Sequence, residues 1–204
     1  MSIDRELKDI AVSTLGLGFA FAVLFFGNSR PGFLLQSGFL PAFAVATALA
    51  AVSFVPHEAI HRVTARALNA YAEYRMWSPG VVLAVLSSFL GVVFAAPGGV
   101  ELHTKKGERY GHWVTNLDME QIGTIALVGP LMNIVVAVIF AFLAGSFSLS
   151  FQGSDLLVLG SRLNAFLAVF NLLPFHPMDG YKVLRWSTPV WLVVMVLSVL
   201  LFLL

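Results

Sequence analysis

Long apolar segments constrain this chain more than any other feature of its sequence. They cover residues 10–27, 42–67, 121–143, 156–173 and 190–204, with short polar loops between them. Hydrophobic residues fill 58% of the 204 positions and charged residues only 11%, whereas a soluble domain has about 25% charged residues. Such a chain cannot cover a water-facing surface. We therefore predict an α-helical polytopic membrane protein with about five transmembrane helices.

Charge and cysteine content exclude several kinds of function. The net charge is +1 and the basic residues form no stripe, so the sequence gives no case for nucleic-acid binding. The chain has no cysteine, so a metal site must use His, Asp or Glu. Five histidines are too few for a multi-histidine di-iron site. The spans leave no room for a separate soluble domain, so we expect residues 1–204 to form a single integral-membrane domain.

A metal-binding motif lies near the end of the second apolar segment. His57, Glu58 and His61 read H-E-x-x-H, and positions four apart share one face of a helix, so the two imidazoles can bind one ion. Ionisable side chains inside an apolar span are costly and typical of functional sites. The alternative is a pair of helix-end histidines beside an unrelated glutamate. Partners for the motif later in the chain count against that alternative.

A catalytic zinc needs three protein ligands and one open position. Asp179 is the best candidate for the third ligand because it follows an apolar segment in a turn rich in Pro and Gly. His176 is its competitor. The polar segment offers three more candidates, which are more typical of a solvated surface: Glu101, His103 and His112. Glu58, held between the two ligands, is suited to take a proton from the attacking water and pass it to the leaving amine.

Two asparagines stand out as polar side chains within apolar segments. Each of Asn133 and Asn171 is compatible with an interhelical hydrogen bond worth about 1 kcal/mol, or with a contact to a substrate backbone or oxyanion. Asn171 is the stronger candidate for substrate contact because it lies only eight residues before Asp179. For Asn133 both interpretations stay open, since Gly129-Pro130 just before it is also compatible with a kink and a close helix contact.

The segment between the second and third spans decides the topology. Residues 81–96 are mostly apolar and precede Pro97-Gly98-Gly99-Val100. If the segment crosses the membrane, five basic residues lie on one side and six on the other. If it re-enters, ten lie on the N-terminal side and only Arg30 opposes them. Basic residues mark the cytoplasmic side, so we predict a re-entrant or short-strand segment and a cytoplasmic N-terminus.

The proposed metal ligands favour the same topology. His57 lies about 23 Å along its segment, at 1.5 Å per residue, and so near the far end. With a re-entrant segment, Asp179 lies at the same face of the membrane as His57. With a full crossing it would lie about 30 Å away, on the opposite face.

Three motifs together resemble the site-2 protease family of intramembrane zinc metalloproteases. They are H-E-A-I-H at 57–61, G-P-L-M-N at 129–133 and N-L-L-P-F-H-P-M-D-G at 171–180, and the resemblance covers a core of about 42–185. It implies one Zn²⁺ per chain held by His57, His61 and Asp179, with Glu58 as the base and Asn171 in contact with substrate. The segment containing Gly99 resembles a family Gly-rich segment near the active site. His176, at a position expected to be apolar, departs from the pattern.

The expected function is therefore hydrolysis of a peptide bond in or near the transmembrane segment of a membrane protein. A substrate helix must unwind locally to be cut, and exposed strands at 72–77 or 99–104 are candidates to hold the unwound part. The expected partners are this substrate and the lipid bilayer, in the cell membrane with the active site toward the cytoplasm. The alternatives are a non-enzymatic zinc-binding or transport protein, and a membrane-surface zinc protease using Glu101 or Glu120 as third ligand.

Overall fold

The computed structural model describes residues 3–104 and 117–204. The elements in chain order are α1 (Ile3–Phe26), a 3-10 helix (Pro31–Leu35), α2 (Phe39–Ala67), β1 (Ala70–Met76), α3 (Ser78–Ser88), β2 (Gly98–Thr104), α4 (Met119–Ala144), β3 (Ser150–Phe151), β4 (Ser154–Asp155), α5 (Leu156–Asn171), α6 (Asp179–Trp186) and α7 (Thr188–Leu203). Each of the five predicted spans corresponds to a helix of this fold.

Within the described ranges, three helices are long and apolar enough to cross a membrane: α1, α2 and α4. The two helices predicted as the fourth and fifth spans, α5 and α7, have 16 residues each. At 1.5 Å per residue each is about 24 Å long, which is short of a hydrocarbon core of about 30 Å. The apolar helices fit a membrane protein, and the count of five spans stays a prediction.

Polar residues define where the later helices begin. Asp118 precedes α4 and forms a capping box, in which its carboxylate accepts from the Gln121 backbone N–H at 2.7 Å. Asp155 precedes α5 and accepts from Leu157 N at 2.8 Å. These caps satisfy backbone donors that a helix N-terminus leaves free. Each cap sets the first residue of its helix close to the beginning of the apolar run.

The core lies where α1, α2 and α5 meet, with Tyr74 of β1 packed against them. Small residues allow the closest approach: a Cβ at Gly18 of α1 would collide with Thr47 of α2. The Tyr74 ring lies edge-on to Phe54, with centroids 5.3 Å apart, and its hydroxyl lies 2.8 Å from Ser13 Oγ. α4 packs against α2, α5 and α6, which brings the three motif-bearing parts of the chain together.

The segment between α2 and α4 contains a two-stranded sheet, and the residues between its strands leave the sheet and return to it. β1 pairs antiparallel with β2, Met76 opposite Gly98, and Trp77 N donates to Pro97 O at 2.7 Å. α3 has 11 residues, about 16 Å, so it cannot cross a membrane before the chain comes back. The predicted short strands are therefore present, and residues 77–97 start and finish at the same place.

The two ends of the helix bundle are distinct. At one end Gln152 Nε2 donates to Gly38 O at 3.1 Å, which joins the loop before α2 to the loop before α5. At the other end the Arg62 guanidinium contacts the Glu6 carboxylate, which joins α2 to the start of α1. The sheet lies at this second end, because Glu6 also accepts from Tyr74 N at 3.0 Å.

Candidate metal centre

A buried group of three side chains forms where α2 meets the start of α6. His57 Nε2 and His61 Nε2 lie 3.1 Å apart, and Asp179 Oδ2 lies 3.3 Å from the first and 3.1 Å from the second. All three residues are at most 6% exposed. Within the described ranges it is the one group of three potential ligands whose atoms converge in this way.

The local sequence explains how these side chains meet. His57 and His61 are four residues apart on α2, which continues through Pro56, so both project from one face. Asp179 is the first residue of α6, reached by a loop after α5. The next residue must be glycine for the loop to pack, because a Cβ at Gly180 would collide with the Leu172 carbonyl.

Hydrogen bonds to the far side of each imidazole orient the two rings. His57 Nδ1 lies 2.6 Å from Asn133 Oδ1, and His61 Nδ1 lies 2.6 Å from the carbonyl oxygen of Ile125. Both partners are acceptors, so each Nδ1 carries the proton and donates it. The neutral imidazoles therefore present bare Nε2 lone pairs to each other and to Asp179.

This arrangement fits a bound zinc ion. Two imidazole lone pairs and a carboxylate oxygen face one another at 3.1–3.3 Å without a proton between them, and a cation removes that repulsion. Ligand atoms about 2.0–2.1 Å from zinc at the corners of a tetrahedron are about 3.3–3.4 Å apart. The donor set is two imidazoles and one carboxylate, which is the chemistry of a catalytic zinc with a position left open.

Asp179 is ionised in this setting. Burial disfavours its charge, whereas the neighbouring Lys182 ammonium lowers the pKa of the carboxyl and so favours the ionised form. Lys182 Nζ donates to Asp179 Oδ1 at 3.3 Å, one helical turn further on. One carboxylate oxygen is thus oriented by Lys182, while the other faces the two histidines.

Gly129 of α4 forms the wall opposite the imidazoles. A Cβ at this position would overlap the His61 ring and lie 2.7 Å from His57 Cε1. The absence of a side chain therefore lets α4 approach the site closely enough for Asn133, one turn later, to reach His57. Gly129 is thus a site of close helix contact, which is what the structural interpretation of Gly129-Pro130 predicted.

Glu58 lies between the two histidines on α2. Its Oε2 atom is buried, and within the described ranges it has no hydrogen-bond partner. An unsatisfied buried carboxylate oxygen costs free energy in a resting fold and is typical of a group that binds water or substrate. This placement is compatible with the predicted role of general base.

The residues predicted to bind substrate occupy different surroundings. Asn133 is fully buried and hydrogen-bonded to His57, so it orients the imidazole of that proposed metal ligand. Asn171 is the last residue of α5 and donates to Leu167 O at 3.0 Å. Gly99 lies on β2, where a Cβ would be 3.6 Å from Pro177 O in the loop before Asp179. Substrate contact stays a prediction for all three.

The competing ligands whose side chains the structure describes are not part of the group. His176 is exposed, with its ring centroid 6.3 Å from that of Tyr181. Glu101 lies on β2, 3.5 Å from Arg75 Nε, and Glu120 is exposed in the first turn of α4. The side chain of His103 and the whole of His112 lie outside the described residues.

Two residues of the site's surroundings did not emerge from the sequence. Ser53 of α2 and Asn164 of α5 are both fully buried and both bonded to Asn133, Ser53 through its carbonyl oxygen. The signal that would have found Asn164 is the same one that selected Asn133 and Asn171, a polar amide inside an apolar span.

Comparison with known proteins identifies the family. The chain is 35% identical over 195 residues to a protein of Methanocaldococcus jannaschii named "Putative zinc metalloprotease MJ0611", and the match covers 93% of this chain and 88% of that protein. A second protein of the same organism, named "Zinc metalloprotease MJ0392", is 28% identical over 97 residues, 41% of this chain and 29% of its own length. No family model and no solved structure match the chain.

An apolar helical bundle that buries an H-E-x-x-H motif against a converging aspartate defines a metalloprotease-type site. The extent of the first match shows the family as well, so this chain belongs to the zinc metalloproteases. Zinc is its cofactor, and the residues that would hold it are His57, His61 and Asp179.

Proposed function

We propose that this protein is an intramembrane zinc endopeptidase of the site-2 protease type. It would hydrolyse a peptide bond in or near the transmembrane segment of a membrane-protein substrate. The observation that carries the proposal is the burial of the His57, His61 and Asp179 group inside a bundle of apolar helices. Next to this group, one carboxylate oxygen of Glu58 has no hydrogen-bond partner in the part of the chain that the structure describes. A protease that acts at the membrane surface has no need to place its metal ligands on a span-length helix.

Each side chain has a distinct task in this proposal. When bound, zinc polarises the scissile carbonyl and makes a water molecule acidic enough to attack at ordinary pH. Glu58 takes a proton from that water and later delivers it to the leaving amine. Asn133 and the Ile125 carbonyl hold the imidazoles in the required tautomer, and Lys182 orients the Asp179 carboxylate.

The two-stranded sheet offers a place for an unwound substrate. On β1, Tyr74 N and Met76 N donate to the carboxylates of Glu6 and Asp9 at 3.0 and 3.3 Å, so α1 occupies the outer edge of β1. The substrate strand would therefore add to β2, by main-chain hydrogen bonds that make little demand on sequence.

The geometry of β2 supports this choice between the two strands. Antiparallel pairs alternate, so the outward donors of β1 imply that Val100 and Leu102 also point their backbone N–H groups away from β1. Gly99, next to them, lies beside Pro177 and thus close to the loop that ends at Asp179.

Cleavage of a defined substrate tests the proposed function. The full chain is reconstituted in lipid with a peptide that has one transmembrane helix and a helix-destabilising pair of residues near its cytoplasmic end. We expect cleavage within or next to that helix, dependent on zinc. Glu58→Gln should lower the rate by about 10²- to 10⁴-fold, the usual contribution of general acid–base catalysis, while zinc stays bound.

Other results would favour other functions. A soluble peptide cut faster than the membrane-inserted one would point to a protease of the membrane surface. A wild type that binds zinc, yet cleaves neither peptide at a rate above that of Glu58→Gln, would point to a metal-binding or transport protein.

A further inference from the structure

Behind the metal ligands lies a closed network of polar side chains that joins three helices. It consists of Ser53 on α2, Asn133 on α4 and Asn164 on α5, all fully buried. The surroundings are otherwise apolar, so each of these groups is costly unless it is fully hydrogen-bonded. A single hydrogen-bonded pair of polar side chains would be enough to join two helices. Here three residues are connected, and one of them is hydrogen-bonded to the proposed metal ligand His57.

Two backbone carbonyls fix the orientation of both amides in the network. Asn164 Nδ2 donates to Gly160 O at 2.9 Å, so its Oδ1 must face the other way, toward Asn133. Asn133 Nδ2 donates to Ser53 O at 2.9 Å and to Asn164 Oδ1 at 3.0 Å. With both of its N–H groups used, Asn133 can only present Oδ1 to His57.

Ser53 completes the network from the α2 side. Its hydroxyl donates to Leu49 O at 2.7 Å and accepts from Asn164 Nδ2 at 2.8 Å. Ser53 thus contacts Asn133 through its carbonyl and Asn164 through its hydroxyl. No donor or acceptor of the two amides needs a water molecule as partner.

We propose that Asn164, supported by Ser53, is a positioning residue for the metal centre. It locks the Asn133 amide in the orientation that accepts from His57 Nδ1 at 2.6 Å, and so keeps His57 in the tautomer with a bare Nε2 toward the metal. It acts on His57 and not on His61, whose Nδ1 donates to a backbone carbonyl that needs no such support. This inference rests on zinc being held by His57.

The test compares zinc binding by full-length variants in detergent. Asn164→Leu keeps the approximate volume but removes both N–H donors and the acceptor of the network. We expect its zinc affinity, measured by competition with a chelator, to be about 10- to 100-fold weaker than that of the wild type, as for other groups behind metal ligands. The visible absorption spectrum of the cobalt-substituted protein should change as well, because the orientation of one of its ligands is released.

A matched pair of serine variants separates positioning from stability. Ser53→Ala and Ser198→Ala each delete a fully buried hydroxyl that donates to the carbonyl four residues earlier, but Ser198 lies on α7, outside the network. We expect both variants to lose thermal stability in the metal-free state, and Ser53→Ala to lose more because it leaves one Asn164 N–H without its acceptor. Only Ser53→Ala should also weaken zinc binding and alter the cobalt spectrum.

Each outcome decides the inference. Wild-type zinc affinity and cobalt spectrum in Asn164→Leu would overturn it, even if stability falls. If Asn164→Leu does not fold, the serine pair decides: equal zinc affinities in Ser53→Ala and Ser198→Ala would overturn it. A wild type that binds no zinc would overturn the proposed function and, with it, this inference.

Discussion

At the scale of single residues, the site depends on two glycines, which have no side chain, as much as on its ligands. Gly129 leaves the space into which the His57 and His61 rings fit, and Gly180 leaves the space for the Leu172 carbonyl. Both glycines are needed for close approach rather than for an unusual backbone angle. A single added methyl group at either position therefore acts directly on the metal ligands or on the loop that presents Asp179.

Gly129→Ala tests this requirement. The new methyl group must displace the two imidazoles, and overpacking of this kind costs about 1–3 kcal/mol. If that cost falls on the metal-bound state, the zinc affinity drops by roughly 5- to 150-fold. Gly32→Ala is the control, since a Cβ there meets no atom within 4 Å. Equal zinc affinities in the two variants, measured by chelator competition, would show that α4 yields easily at this point.

The three side chains that converge were predictable from the sequence, and the residues that support them were not. His57, Glu58 and His61 follow a spacing that has a chemical meaning, and Asp179 was the best-placed carboxylate after a later span. The roles of Ser53 and Asn164 depend on which faces of α2, α4 and α5 meet, and spacing along a single helix does not contain that information. Asn133 was selected by its polarity, but only the fold shows that its oxygen faces His57.

At the scale of elements, the apolar runs predicted where the long helices lie, and they failed for the short ones. α6 is an amphipathic helix of eight residues that begins at Asp179, whereas the sequence suggested only a turn followed by two basic residues. α3 is likewise far shorter than the apolar run from which it forms, because the chain must return to β2. In α3, strand pairing overrides local apolarity, whereas α6 is too short and too polar to stand out as an apolar run.

The β2 edge makes a prediction at this scale. Val100→Pro removes a backbone N–H that points away from β1, while the hydrogen bonds between the strands are kept. If a substrate strand pairs there, losing one hydrogen bond of about 0.5–1.5 kcal/mol should lower the cleavage rate roughly 2- to 10-fold, more if the ring also obstructs docking.

Val100→Ala shortens the same side chain but keeps the N–H, and should cleave at close to the wild-type rate. Zinc content should equal the wild-type value in both variants. A proline variant as active as the alanine variant would mean that the substrate does not pair with this edge.

At the scale of the whole molecule, the geometry of the metal group bears on one topological expectation. Only a segment that returns to its starting side lets α2 and α5 run in the same direction and brings Asp179 to His57. The distance of 3.3 Å between their ligand atoms is compatible with that topology, which stays a prediction. The side of the membrane on which the site lies comes from the distribution of basic residues alone, and it stays a prediction.

Cysteine labelling tests the predicted sidedness, because the chain has no cysteine of its own. We expect Ser37→Cys and Ser146→Cys, in exposed loops at one end of the bundle, to react with a membrane-impermeant maleimide from outside intact cells. Arg66→Cys, just beyond the motif on α2, should react only in inverted vesicles. Labelling of Ser37→Cys and Arg66→Cys from the same side would rule out a membrane-spanning α2. The cysteine-free wild type gives the background.

The most direct test of the account is the amount of zinc bound per chain in the wild type and in Asp179→Ala. Because the three ligand atoms converge on one position, we expect one equivalent in the wild type and most of it lost in the variant. Asp155→Ala, which removes the half-buried carboxylate that caps α5 and lies outside the ligand group, should keep the full equivalent. Full retention of zinc by Asp179→Ala would contradict the account, since the third ligand would then lie elsewhere.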